Sequence, residues 1–173
     1  GSTLLSASDE TQLNSWVGSS GQSWTLCYSK NTHGAAASTF HARCDSYNNT
    51  ISVAELDTGV VIGGYAGSSW SGSGYVNDGS NFLFSLTGGW QVMAGSGGYW
   101  GVAPHAQYNS TSYGPTFGGG HDWYVNANIT GGSCNLGYSY ACQVGSAGSS
   151  TCQSDFCGSS SSWTITELEV WGR

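Results

Sequence analysis

A chain of 173 residues is long enough to bury one hydrophobic core, and its 3 Lys+Arg against 10 Asp+Glu give a formal net charge of −7. That balance argues against nucleic acid and anionic membranes as partners, because both demand a basic footprint. Charged residues make up only 8% of the chain, so solubility rests on Ser, Thr, Asn, Gln, exposed backbone and attached sugar, and no apolar run approaches the roughly 20 residues that span a bilayer.

Ser8-Asp9-Glu10 offers a capping hydroxyl and two acids for a helix start. Leu13, Trp16 and Val17 at i, i+3 and i+4 then predict a short amphipathic helix that Gly18 stops. Trp24–Tyr28 alternates as a strand with residues 24, 26 and 28 on one face. After a turn at Lys30–Gly34, Ala35–Cys44 has helical composition, with Phe40 and Cys44 four residues apart on one side. If Cys27 faces that helix, a Cys27–Cys44 bridge closes a loop of about 17 residues; two buried thiols are the alternative. Ile51–Leu56 alternates, and Asp57-Thr58-Gly59 predicts a hairpin turn into Val60-Val61-Ile62.

Gly63-Gly64 follows, where missing side chains admit another backbone or a bulky ring. The Ser/Gly loop after it leads to Phe82–Leu86, which has the apolar density of a buried strand. Trp90–Ala94, Tyr99–Ala103 and Asp122–Asn128 are further short-strand candidates. The segment at about 131–162 is rich in Cys, Gly and Ser, lacks a core-forming pattern and predicts a surface-loop insertion stapled by its own bridges. Its Cys134, Cys142, Cys152 and Cys157 allow a local or a nested pairing. The chain closes on Trp163–Trp171, where Leu168 and Val170 stand opposite Glu167 and Glu169 as in a half-exposed antiparallel strand. Many short strands, abundant Gly and no internal repeat predict an all-β fold, a two-sheet antiparallel β-sandwich flanked by two short helices.

Six cysteines in a Lys-poor chain point to an oxidising compartment and up to three disulfides. The four-residue spacing of Cys152 and Cys157 also permits zinc, but no second pair or His follows at suitable spacing. Asn48, Asn109 and Asn128 each begin a glycosylation sequon. No secretory leader is visible, which fits a mature secreted form or a fragment of a longer chain.

Catalytic patterns are thin. Lys30 is the only lysine, so no glycine cluster forms a phosphate-cradling loop. His41 beside Phe40 reads as a packing or capping residue, and His121-Asp122 as a hydrogen-bonded pair with no nucleophile-elbow serine. Glu167 and Glu169 share a strand face at a separation workable for a glycosidase pair, yet a solvated face explains them. Trp70, Tyr75, Trp90, Tyr99 and Trp100 sit in or beside Gly/Ser loops and suggest a sugar-binding surface, with Asn77 and Asp78 as polar partners. Asn77, Asp78, Ser80 and Asn81 also invite Ca²⁺, but they lack the spacing and terminal Glu of an EF-hand loop, and no cofactor is expected.

In chain order, TLLSASDETQLNSWVG, WTLCYSK, TFHARCD, GVVIGGYAGSSW, NFLFSL, PTFGGG and ITELEVWG form a series that resembles the TLDc domain, the module of the oxidation-resistance proteins and of some nuclear-receptor coactivator relatives. The resemblance implies one domain over 1–173, with two antiparallel sheets packed face to face, and weakens across the Cys-rich segment. For intracellular members it implies protection against oxidative stress and interaction with the vacuolar proton pump. It carries no agreed catalytic set; TFH at 39–41, GGY at 63–65 and EVWG at 169–172 look like fold determinants. Scarce Lys and Arg, the sequons and the cysteines fit a secreted context better. The sequence therefore predicts a non-catalytic extracellular structural or adhesive module whose partner is a protein, a glycan or a second copy, with a lectin-like module as the alternative.

Overall fold

The computed structural model describes residues 1–19, 21–98 and 105–173. In chain order the elements are α1 (Ala7–Val17), β1 (Thr25–Ser29), α2 (Lys30–His33), α3 (Ala37–Cys44), β2 (Thr50–Leu56), β3 (Val61–Ala66), β4 (Gly74–Val76), β5 (Phe82–Ser85), β6 (Trp90–Met93), β7 (Gln107–Asn109), β8 (Thr116–Phe117), β9 (Trp123–Val125), β10 (Gly132–Cys134), α4 (Ser150–Cys157) and β11 (Ile165–Gly172). They build two sheets, one of six strands ordered β1-β11-β2-β3-β5-β6 and one of five ordered β10-β9-β8-β7-β4. Every strand pairing is antiparallel. The strand candidate Tyr99–Ala103 lies outside the described residues.

The main core lies between the sheets, where Ala54, Leu56, Ile62, Leu83, Leu168 and Val170 meet Phe117, Trp123 and Val125. A second cluster covers the outer face of the six-stranded sheet: Ile51, Val53, Tyr65, Phe82 and Phe84 pack under Leu13 of α1. A sheet covered on both faces has no solvent side, which explains why β2 is buried at successive positions although its sequence alternates. It also corrects the half-exposed reading of β11, which lies between β1 and β2. Glu167 and Glu169 are 4% and 1% exposed. Glu169 accepts hydrogen bonds from Thr3 N (2.7 Å), Thr3 Oγ1 (2.9 Å) and Trp171 Nε1 (3.1 Å). Glu167 accepts from Asn31 N (3.2 Å), Ser29 Oγ (3.3 Å) and Leu168 N (2.9 Å). Buried carboxylates persist where donors surround them in this way.

Local chemistry sets the element ends. Ser6, two residues before the expected Ser8, caps α1, and it forms a reciprocal box with Asp9, whose Oδ2 accepts from Ser6 N at 2.9 Å. Gly18 closes the helix at φ 75°, a left-handed conformation that glycine adopts without strain. The turn expected at Lys30–Gly34 contains the short helix α2, capped by Ser29. In β1 the expected common face of residues 24, 26 and 28 is broken by a bulge, because Leu26 pairs with Trp171 and Tyr28 with Val170. The extra residue turns Cys27 and Tyr28 together into the inter-sheet core, while Trp24 joins the outer cluster. Cys27 thereby reaches Cys44 on α3, with a Cα–Cα distance of 5.4 Å.

Gly63 and Gly64 in β3 serve close packing, as their sequence suggests. A Cβ at Gly63 would stand 2.1 Å from Ser52 O and 2.4 Å from Phe84 Cζ, and one at Gly64 would stand 2.6 Å from Phe117 Cζ. Gly63→Ala must therefore push against a backbone carbonyl in the sheet centre. We expect a loss of about 3 kcal/mol by urea unfolding, at the upper end of the overpacking range; a change under about 0.5 kcal/mol would contradict this packing.

The segment 131–162 is not a surface loop. It supplies β10 and α4, and Leu136, Tyr140 and Phe156, each at most 1% exposed, belong to the inter-sheet core. Its cysteines take the nested arrangement, Cys134–Cys157 around Cys142–Cys152. With Cys27–Cys44 all six cysteines are bridged, which leaves none for zinc and is consistent with a non-reducing environment. Among the described residues no helix is long and apolar enough to cross a membrane.

Candidate functional site

The outer face of the five-stranded sheet carries a continuous group of aromatic rings. Inward positions are taken by Phe117, which pairs with Gln107 on β7 and Trp123 on β9. Strand alternation then turns the next residues outward: Tyr75 pairs directly with Tyr108, and Tyr124 with Thr116. Loops add Tyr113, His105 and His121. Tyr75 meets His105 at 4.4 Å between ring centroids and Tyr108 at 4.8 Å, and Tyr113 meets Tyr124 at 4.7 Å, all edge to face. His121 lies 5.0 Å from Tyr108 and 5.8 Å from Tyr113 and Tyr124.

The rings are half-exposed, and Tyr75 is the most open at 43%. His121 sits at φ 52°, a left-handed conformation uncommon for a residue with a side chain and found where tertiary structure holds it. Burial lowers its pKa, which keeps the ring neutral at neutral pH. Burial, reinforced by neighbouring tyrosines, raises the pKa of Tyr75 and Tyr124, so both stay phenols. The Tyr75 hydroxyl donates to Gly119 O at 2.9 Å and anchors the ring to the 118–121 turn.

Behind that turn stands Asp122, fully buried. It is not paired with its neighbour His121: the two adjacent side chains go to opposite sides, His121 among the outer rings and Asp122 inward. Asp122 Oδ2 accepts from the backbone N–H groups of Tyr138 (3.1 Å), Ser139 (3.0 Å) and Tyr140 (3.0 Å). Burial pushes its pKa up to about 7, against the pull of those N–H donors. The carboxylate thus fastens the 138–140 turn to the sheet that displays the tyrosines.

The residues expected to line a sugar site are dispersed. Among the described ones, Tyr75 alone joins the exposed aromatic face. Trp70 is 1% exposed, packs edge-on against Phe40 and Phe117, and donates from Nε1 to Thr50 Oγ1 at 2.9 Å; a ring of this size lost more by exposure than the loop gained. Trp90 packs on Phe156 of α4 at 5.6 Å. Tyr99 and Trp100 lie outside the described residues. Asn77 is exposed. Asp78 clamps its own loop, accepting from Ser68 Oγ (2.7 Å), Ser80 N (3.0 Å) and Ser80 Oγ (2.6 Å). Burial raises its pKa, but those bonds outweigh it and hold the carboxyl below the usual range. Both Asp78 oxygens are therefore engaged within the loop, and Asn81 is turned inward, Nδ2 donating to Gln107 Oε1 at 3.0 Å.

Asn109 is a correction of the same kind. It is 3% exposed, and its Nδ2 donates to Ser69 O (3.0 Å) and Ser71 O (2.8 Å), so in the folded chain the nitrogen that would carry a glycan is committed. Asn48 and Asn128 are exposed. His41 acts as a tie: Nδ1 lies 2.8 Å from Asp45 Oδ1, and Nε2 lies 2.9 Å from both Ser110 O and Tyr113 O, which joins α3 to the loop bearing Tyr113. Lys30 Nζ donates to Ile165 O. Tyr108, Tyr113 and Tyr124 escaped the sequence reading, and His121 was read there only as a partner of Asp122; Tyr108 between Gln107 and Asn109 gives no local sign of facing outward, because there the polar residues are the buried ones.

The family model of the TLDc domain matches residues 1–173, and so includes the Cys-rich segment. No curated protein matches the chain.

Proposed function

Because the chain belongs to the TLDc domain family, we propose on that premise that it is a disulfide-hardened variant for an oxidising, extracellular setting. It works without turnover as a structural or adhesive module and engages a partner protein through the Tyr75–Tyr108–Tyr124 face. The observation that carries this reading is the half-exposed tyrosine and histidine face. Tyrosines give large contact area at small entropic cost, which is why they concentrate in protein-binding surfaces. Edge-to-face rings at 61–71° leave no coplanar platform for a pyranose ring, which favours protein over glycan. The chain's net charge of −7 favours a neutral or basic partner surface over a second copy. Three bridges and no free thiol support the extracellular setting over the intracellular stress-protection and proton-pump roles of the family.

The test is retention of extracellular-matrix proteins and of cells on a surface coated with the oxidised domain. Tyr75→Ala with Tyr108→Ala is expected to reduce retention about tenfold or more, in line with the weight of aromatic anchors at interfaces. Retention that is indifferent to these substitutions would sink the proposal, and retention abolished by glycosidase treatment of the partner would transfer it to the lectin reading. Concentration-dependent sedimentation of the domain alone reports self-association.

A further inference from the structure

A cavity of about 170 Å³ opens on the outer side of the six-stranded sheet, away from the tyrosines. Leu5, Leu13 and Ile51 line it with apolar surface, Trp24 and Trp171 with indole rings, and Glu10, Asn14 and Gln22 with polar groups. Both indole N–H groups are already committed: Trp24 Nε1 donates to Asn14 Oδ1 at 2.9 Å and Trp171 Nε1 to Glu169 Oε2 at 3.1 Å. What the rings have left to offer is their electron-rich faces.

The chain itself demonstrates what such a face accepts. The guanidinium carbon of Arg173 lies 4.7 Å from the Trp24 ring centroid, and its Nη1 donates to Gln22 Oε1, a residue of the same lining. Glu10 is exposed, and on a chain with 3 Lys+Arg against 10 Asp+Glu the surrounding field draws cations inward.

We propose that this cavity is a binding site for a small organic cation, an ammonium or guanidinium head on a short alkyl body. The head lies against Trp24 with Glu10 as its counter-charge, and the alkyl part against Leu5, Leu13 and Ile51. This site is independent of the tyrosine face and of any protein bound there.

The probe is n-butylammonium, with 1-butanol as its neutral counterpart of similar shape, followed by calorimetry and by the indole N–H signals of the oxidised 173-residue chain. Butylammonium is expected to shift the Trp24 and Trp171 signals and to bind about tenfold tighter than 1-butanol, the size of a partly desolvated cation–π contact. Trp24→Leu keeps an apolar wall without an aromatic face, so it should cut that preference to the roughly threefold that Glu10 supplies while leaving 1-butanol binding unchanged. Glu10→Gln should weaken butylammonium about threefold, as expected for an exposed charge pair. Arg173→Ala vacates the indole face and should tighten binding; no tightening counts against the site. Equal affinity for the two probes, or unmoved Trp24 and Trp171 signals with an intact near-ultraviolet circular dichroism spectrum, would overturn the proposal.

Discussion

Replacing Asp122 with alanine will destabilise the fold by about 4 kcal/mol, because three backbone N–H groups then lose their acceptor in a buried site, at roughly 1–3 kcal/mol each with partial relaxation. The donors are those of Tyr138, Ser139 and Tyr140. Asp122→Asn keeps one oxygen for them but brings an amide N–H₂ towards Ser139 N, which lies 3.2 Å from Oδ1, so about 1–3 kcal/mol is lost. Both values are read from urea unfolding. The same carboxyl fixes a pH dependence. Burial raises its pKa to about 7 in the folded chain, against about 4 unfolded. Between these values the folded state holds a proton that the unfolded state has released, so the contribution of Asp122 to stability is greatest below about pH 4, falls as pH rises to about 7 and is level above that. The span is on the order of 4 kcal/mol at most, and Asp122→Asn should flatten it. Stability that rises over this interval would mean that the three N–H groups outweigh burial and keep the carboxylate ionised.

Reduction of the nested bridges will unfold the whole domain rather than release 131–162 alone. Cys134–Cys157 and Cys142–Cys152 close sequence separations of 23 and 10 residues, each worth about 3 kcal/mol by loop entropy. For a domain of this size that corresponds to about 6–12 °C in Tm per bridge. The loss cannot stay local because Leu136, Tyr140 and Phe156 share a core with Leu56, Ile62 and Phe117, and Trp90 packs on Phe156 across that boundary. Thermal melts of paired Cys→Ala variants, followed by far-ultraviolet circular dichroism and by tryptophan fluorescence, should show one coincident transition. Fluorescence that melts unchanged while 131–162 opens would refute the shared core.

The elements legible in the sequence are those whose residues settle their own local conformation. The α1 stripe of Leu13, Trp16 and Val17, its Gly18 stop, the Asp57–Gly59 turn and the apolar run of β5 were each readable from a few neighbours. Three-residue strands such as β4 and β10 carry glycine and no alternation long enough to register; they exist because neighbouring strands hold them. The same limit hid the aromatic face, since Tyr75, Tyr108 and Tyr124 lie far apart along the chain and meet only when β4, β7 and β9 share a sheet.

By itself the sequence determined the sandwich class, the need for Gly63-Gly64 and the pull towards an oxidising environment, because patterning, backbone freedom and cysteine count are properties of short stretches and of composition. Tertiary structure alone decided that Glu167, Glu169, Trp70 and Asn109 are buried, that 131–162 belongs to the core, and that the nested pairing holds among its cysteines. Burial and pairing depend on what covers a residue from distant parts of the chain, and two glutamates on a strand look solvated until Ser2–Thr3 and Ser29–Asn31 close over them.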